Sequence, residues 1–100
     1  MRAMVLNEPG KLVATDAAVP VRKSHEAMIN VTHGGICGTD LKIYEGGIPT
    51  PYPLIMGHEM IGKVVEGFST DYFHEGSRVI VDPVLSCGKC FFCHSGLSNL

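Results

Sequence analysis

Short apolar runs recur along this chain, and turn-forming residues separate them. Twelve glycines and six prolines divide the sequence into these runs. Apolar runs of this length, bounded by turn residues, are typical of short strands. The pattern predicts a mainly β fold, a barrel or a sandwich, with strands at 3–6, 12–14, 27–31, 61–65 and 79–81.

Two of these runs show further strand character. Residues 3–6 and 12–14 are joined by 7–11, which contains Pro9 and Gly10, so this part of the chain predicts a hairpin. In 27–31 the residue types alternate with the period of two that a strand requires.

One short helix is expected after Gly38. Thr39 or Asp40 offers an oxygen that can cap the first turn. The glycine pair at 46–47 then supplies a left-handed stop. The segment 46–53, rich in glycine and proline, is predicted to be a loop.

Composition and charge narrow the class of protein. The chain of 100 residues is 45% hydrophobic and 18% charged, which describes an ordinary globular protein with one modest core. A net charge of -2 gives no basic face, so we expect neither nucleic acid nor a membrane surface as a partner. No signal-peptide core is present, and we expect a cytoplasmic location.

Three cysteines lie close together near residue 90. Cys87, Cys90 and Cys93 are spaced at the interval by which a loop wraps a tetrahedral zinc ion. The alternative is three buried cysteines that act as small apolar residues. A structural zinc site has four protein ligands, so one more is required. His74 could fold back to supply it, but a cysteine beyond Leu100 is the more economical expectation.

A second set of zinc-competent residues lies upstream. Cys37 falls at the start of the predicted helix, and His58 and Glu59 fall at the start of the next strand. A lone cysteine is usually a packing residue, and a lone His-Glu pair is usually a solvated turn. The thiol, imidazole and carboxylate together are a far more specific indication of a zinc site.

Four segments resemble the zinc-containing medium-chain dehydrogenases that act on alcohols and polyols: GGICGTDL at 34–41, GHE at 57–59, GSRV at 76–79 and CGKCFFC at 87–93. The resemblance implies a GroES-like, partly open β-barrel with one short helix and a cysteine-rich zinc lobe that begins near 86. It further implies that 1–100 is the N-terminal part of the catalytic domain, and that the Rossmann domain for NAD or NADP is absent from this chain.

The resemblance also implies roles for individual residues. Cys37 and His58 correspond to ligands of the catalytic zinc, and Glu59 corresponds to the neighbouring carboxylate that ligates or approaches the metal. Asp40 corresponds to the carboxylate that orients the zinc-bound imidazole, and Thr39 to the hydroxyl that receives the alcohol proton. In the lobe, three structural ligands are implied, with the fourth at the next position after the chain: Cys87, Cys90 and Cys93.

The implied function is an oxidoreductase that interconverts alcohols and aldehydes or ketones with NAD(P), with zinc at a catalytic and a structural site. We expect a homodimer or homotetramer for the full-length enzyme, and no activity for the 100 residues alone. The motifs at 34–41 and 57–59 are closer to those of the polyol and threonine dehydrogenase branch than to those of the simple ethanol enzymes.

Two alternatives to this function remain. One is a non-catalytic module in which zinc only holds the fold together, and the other is a zinc-free reductase of the same superfamily.

Overall fold

The computed structural model describes residues 1–67 and 69–100. Two three-stranded sheets dominate this part of the chain, with strand orders β2-β1-β4 and β3-β5-β6, and the predicted mainly β fold is confirmed. The sheets do not close into one continuous barrel. The elements are β1 (Arg2–Glu8), β2 (Lys11–Asp16), β3 (Ala27–Gly34), α1 (Gly38–Tyr44), β4 (Leu54–Ile55), β5 (Met60–Gly67), β6 (Arg78–Val81) and α2 (Phe91–His94).

The predicted hairpin is formed by β1 and β2, which pair in antiparallel register. Gly10 has φ 77 in the connecting turn, a left-handed conformation that glycine adopts without strain. The end of α1 is fastened to this turn at two points. The Gly10 N–H donates to the Tyr44 carbonyl at 2.8 Å, and the Tyr44 hydroxyl donates to the Gly10 carbonyl at 3.0 Å.

The second sheet depends on a close approach between β3 and β5. A Cβ atom on Gly62 would lie 2.5 Å from Cγ2 of Ile29 and 2.6 Å from the Asn30 carbonyl oxygen. These are shorter than real Cβ contacts, so β5 needs glycine here. The pairing of β3 with β5 contains two register shifts, one of them between Val31 and His33.

The fully buried core of the described residues is small. Leu6 is 0% exposed and Val64 is 2% exposed, one from each sheet. Other large apolar side chains lie at the surface; Met4 of the first sheet is 48% exposed and Ile80 of the second is 80% exposed. Much of the apolar surface of the two sheets is therefore uncovered. No helix in the described part of the chain is long and apolar enough to span a membrane.

The N-cap of α1 differs from the prediction, which was Thr39 or Asp40. Cys37 is the N-cap, with extended backbone (φ -110, ψ 175), and its sulfur accepts from the Thr39 N–H at 3.3 Å. Asp40 lies inside the helix, and its Oδ2 accepts from the Cys37 N–H at 2.9 Å. The prediction failed because sequence reasoning looks for oxygen caps, and sulfur is a weaker acceptor.

The other boundaries follow the prediction more closely. The helix ends at Tyr44 with Glu45 as its C-cap, and Gly46 then has φ 78, as a left-handed stop requires. The predicted loop at 46–53 contains no helix or strand. Two short elements were not predicted, the strand β4 and the single-turn helix α2.

Candidate metal centre

The first cluster joins Cys37 to residues that lie more than twenty positions further along the chain. The Cys37 sulfur is 3.0 Å from Nε2 of His58. On the other side of the ring, Nδ1 of His58 is 3.3 Å from Oδ1 of Asp40. Asp40 is 6% exposed and holds the Cys37 backbone with its other oxygen. One carboxylate therefore orients both the imidazole and the cap that carries the thiol.

The electrostatics of the pair favour its charged forms. A hydrogen bond from the Thr39 side chain lowers the pKa of the Cys37 thiol. The hydrogen bond with Cys37 raises the pKa of His58, and the charges of Cys37 and Asp40 raise it further. A lowered thiol pKa favours the thiolate, which is the form that binds metal.

Glu59 reaches the cluster by crossing over Gly35. The Gly35 N–H donates to the Glu59 carbonyl at 2.7 Å, which holds the two backbones side by side. A Cβ atom on Gly35 would clash with Oε2 of Glu59 and would lie 2.9 Å from its Cβ. The carboxylate therefore occupies the space that any side chain at position 35 would fill. Sequence reasoning missed Gly35, because its role appears only when β3 and β5 are brought together.

Three ligand atoms of different chemistry converge in this cluster. One ligand atom each of Cys37, His58 and Glu59 lies within 4.8 Å of the others. Sulfur, imidazole nitrogen and carboxylate oxygen are the three donor types that bind zinc in proteins. The donor set and its convergence fit a zinc ion.

The second cluster lies in the cysteine lobe. The Cys93 sulfur is 3.8 Å from that of Cys87 and 3.5 Å from that of Cys90. Gly88 has φ 71, which allows the tight turn between the first two cysteines. The backbone N–H of Lys89, with further hydrogen bonds from Cys90, lowers the pKa of Cys87 to about 7. Three converging thiols with one pKa near neutrality fit a thiolate-rich zinc site.

The fourth ligand suggested for the lobe is placed elsewhere. In the part of the chain that the structure describes, the lobe's ligand group consists of the three cysteines and does not include His74. Nδ1 of His74 lies 2.8 Å from the carbonyl oxygen of Glu75. The alternative in which His74 folds back onto the three cysteines is therefore wrong for this structure.

Two cavities adjoin the first cluster. We call one the metal cleft; it has a volume of about 560 Å³, and its lining includes His58 and Glu59 together with His33, Ile61, Ile80 and Pro83. We call the other the apolar groove; it has a volume of about 670 Å³ and is lined by residues such as Met4, Val31, Leu41, Tyr44 and Ile55. Glu59 lines both cavities, so the cluster lies where they meet.

Comparison with known proteins identifies the family of this chain. Residues 23–100 match the model of the alcohol dehydrogenase GroES-like domain. The chain belongs to this family. The expected resemblance to zinc-containing dehydrogenases is therefore confirmed, as is the expected GroES-like fold.

Three similar proteins show how much of a dehydrogenase the chain spans. It is 39% identical, over 99% of its length and 30% of the relative, to a zinc-type alcohol dehydrogenase-like protein of Haemophilus influenzae. It is 37% identical, over 100% of its length and 30% of the relative, to sorbitol dehydrogenase of Bacillus subtilis. An alcohol dehydrogenase of Escherichia coli, solved as a complex with NADH, superimposes with a TM-score of 0.86 at 35% identity, over 99% of this chain and 29% of that one.

Proposed function

We propose that Cys37, His58 and Glu59 hold the catalytic zinc of an alcohol or polyol dehydrogenase. The observation that carries the proposal is the convergence of their three ligand atoms within 4.8 Å, with the Asp40 carboxylate behind the imidazole. A carboxylate behind the ring is a usual partner of a metal-ligating histidine, and catalytic zinc sites use three protein ligands so that a fourth position stays open to substrate. The spacing of Cys87, Cys90 and Cys93 supports a separate structural zinc site.

Each residue of the first cluster has a distinct task in the proposed reaction. When bound, zinc supplies a Lewis acid that favours loss of the proton from an alcohol and polarises a carbonyl in the reverse direction. Cys37 and His58 hold the ion, and Asp40 keeps Nδ1 of the imidazole protonated so that Nε2 is free to bind. Thr39, at the start of α1 beside the thiol, accepts the alcohol proton through its hydroxyl.

The hydride acceptor belongs to another part of the enzyme. Residues 1–100 contain no glycine-rich nucleotide motif after a strand, and the similar Escherichia coli structure holds NADH. We propose that 1–100 form the N-terminal part of the catalytic domain, with the zinc lobe from about 86, and that a Rossmann domain outside these residues binds NAD or NADP. The 100 residues alone are then inactive. The sorbitol dehydrogenase relative supports a polyol as substrate.

The test compares metal content and turnover. The polypeptide that joins residues 1–100 to a nucleotide-binding domain is assayed with NAD and NADP against alcohols and polyols, and its zinc is counted by mass spectrometry. We expect two zinc ions and activity, with Cys37→Ser and His58→Gln losing one ion and all turnover. Retention of activity in both variants contradicts the proposal.

The second candidate, a module in which zinc only staples the fold, is supported by the cysteine lobe but leaves Asp40 and His58 unexplained. Cobalt substitution separates the two sites, because thiolate ligands give intense charge-transfer absorption. We expect Cys87→Ser to remove most of this absorption and Cys37→Ser to remove a smaller part. An unchanged spectrum in Cys37→Ser would favour the non-catalytic zinc module.

A further inference from the structure

A β-bulge in β3 precedes His33, which lines the metal cleft. Val31 pairs with Gly62 and His33 pairs with Ile61, so Thr32 is an extra residue on this strand. In a regular strand, side chains two positions apart lie on the same face. Here Val31 lines the apolar groove, whereas His33 lines the metal cleft. Bulges commonly redirect a side chain beside a functional site.

The extra residue also fixes the tautomer of His33. The Thr32 hydroxyl donates to the Ile61 carbonyl at 3.2 Å, and a carbonyl can only accept. The hydroxyl has a single hydrogen, so towards Nδ1 of His33, at 3.1 Å, it acts as the acceptor. Nδ1 therefore carries the hydrogen, and in the neutral ring Nε2 keeps a lone pair.

The lone pair of Nε2 is available to a ligand. Among the residues that the structure describes, none donates a hydrogen bond to Nε2 of His33. The nearby walls of the cleft are apolar, with Ile61, Ile80 and Pro83 among them, and the metal cluster residues His58 and Glu59 line the same cleft. A substrate whose one hydroxyl is at the metal has no second hydroxyl to donate to Nε2. A substrate with several hydroxyls can also donate to Nε2.

We propose that Nε2 of His33 accepts a hydrogen bond from a hydroxyl of a polyol substrate, at a carbon other than the one that is oxidised. His33 is then a specificity-determining residue, and it favours polyols over simple alcohols. This inference rests on the proposed function and names the substrate class of the same site.

The kinetic test uses the zinc-loaded enzyme that contains this chain, with sorbitol and a simple secondary alcohol of the same carbon-chain length. His33→Phe keeps a flat ring but removes the acceptor. We expect the KM for sorbitol to rise about two- to tenfold, the effect of one neutral hydrogen bond, with kcat unchanged. For the simple alcohol neither constant should change. His33→Gln, whose side-chain carbonyl can accept, should recover part of the loss.

His25→Phe is the matched control, because His25 is an exposed histidine in a turn outside both cavities, and it should leave both substrates unaffected. An unchanged sorbitol KM in His33→Phe, or an equal rise for both alcohols, would overturn the assignment. A lack of turnover on every alcohol contradicts the proposed function instead. NMR of the histidine ring nitrogens then decides on His33 independently: sorbitol should shift its Nε2 signal, and an unmoved signal overturns the inference.

Discussion

The Asp40 carboxylate contacts both Cys37 and His58, with Oδ2 at 2.9 Å from the Cys37 nitrogen and Oδ1 at 3.3 Å from Nδ1 of His58. Asp40 and Cys37 are three positions apart, whereas Asp40 and His58 lie on different segments of the fold. Asp40 therefore belongs both to a local helix cap and to the metal cluster. Substitutions at this position can separate the two roles.

Asp40→Asn should weaken zinc binding while it leaves the cap in place. The amide oxygen can still accept from the Cys37 N–H, but the amide nitrogen then faces Nδ1 of His58 and favours the tautomer with its hydrogen on Nε2. We expect zinc affinity at this site to fall about 10- to 100-fold, as measured by competition with a chelating dye. Asp40→Ala should add a loss of about 1 kcal/mol in unfolding free energy, because the Cys37 N–H then loses its acceptor in the capping box.

The matched control for position 40 is Asp71→Asn, since Asp71 is exposed and lies outside both metal clusters. It should change neither zinc affinity nor stability. Equal zinc affinity in Asp40→Asn and in the unmodified protein would show that the carboxylate acts on the cap alone.

Gly35→Ala should disturb the first cluster through Glu59. The added methyl group meets the Glu59 side chain, so either the carboxylate turns away or the backbone after β3 shifts. We expect weaker zinc binding at the first site and an unaltered cysteine lobe, both visible in the cobalt spectrum. Gly38→Ala is the control, because a Cβ there meets nothing within 4 Å and helical backbone accepts alanine. A loss of zinc in both variants would contradict the steric explanation.

The metal-free lobe should show an acidic thiol. The turn at Gly88 presents the Lys89 N–H to Cys87, whose pKa falls from 9.0 to about 7. Because the thiolate is the reactive form, alkylation of Cys87 by iodoacetamide should accelerate as the pH rises, with a midpoint near 7. Peptide mass spectrometry after chelation of zinc measures the rate at each pH.

Gly88→Ala should raise that midpoint toward the ordinary value, since alanine strains the left-handed turn. Gly96→Ala introduces the same strain elsewhere in the lobe, where φ is 75, and should leave the midpoint unchanged. A midpoint near 9 in the unmodified protein would mean that the Lys89 hydrogen bond is not formed in solution.

Leu6→Ala should destabilise the protein strongly. Leu6 is completely buried and is one of the two fully buried hydrophobic side chains among the described residues. Truncation of such a side chain costs about 2–5 kcal/mol, measured as the unfolding free energy in urea. Val21→Ala, at a side chain that is 92% exposed, is the control and should have little effect. Similar losses in the two variants would contradict the position of this core.

Local patterns predicted most of the strands and identified the candidate ligand residues. Val79 and its neighbours form a strand where an apolar run predicts one, and the first hairpin forms around Gly10. The spacing of ligand types marked Cys37, His58 and Glu59 as well as the lobe. These features depend on residues close in sequence or on side chains of rare chemistry.

The missed features depend on contacts between distant segments. Gly35 matters because Glu59 crosses over it, and no local signal distinguishes it from Gly34. The position of His33 beside the metal cleft follows from an extra residue in the pairing of β3 with β5, which no local pattern in the sequence reveals. The sulfur cap at Cys37 was missed because capping preferences describe oxygen acceptors.

The residues of the first cluster lie on the two segments that connect the sheets. Cys37 lies where the chain leaves β3 of one sheet for α1, whose end is clasped to the hairpin turn of the other sheet. His58 and Glu59 lie where it returns from β4 of that sheet to β5 of the first. An ion held by these residues would link the two segments of the chain that connect one sheet to the other. Without the ion, the two sheets could move relative to each other, so we expect metal removal to loosen the packing of the whole domain.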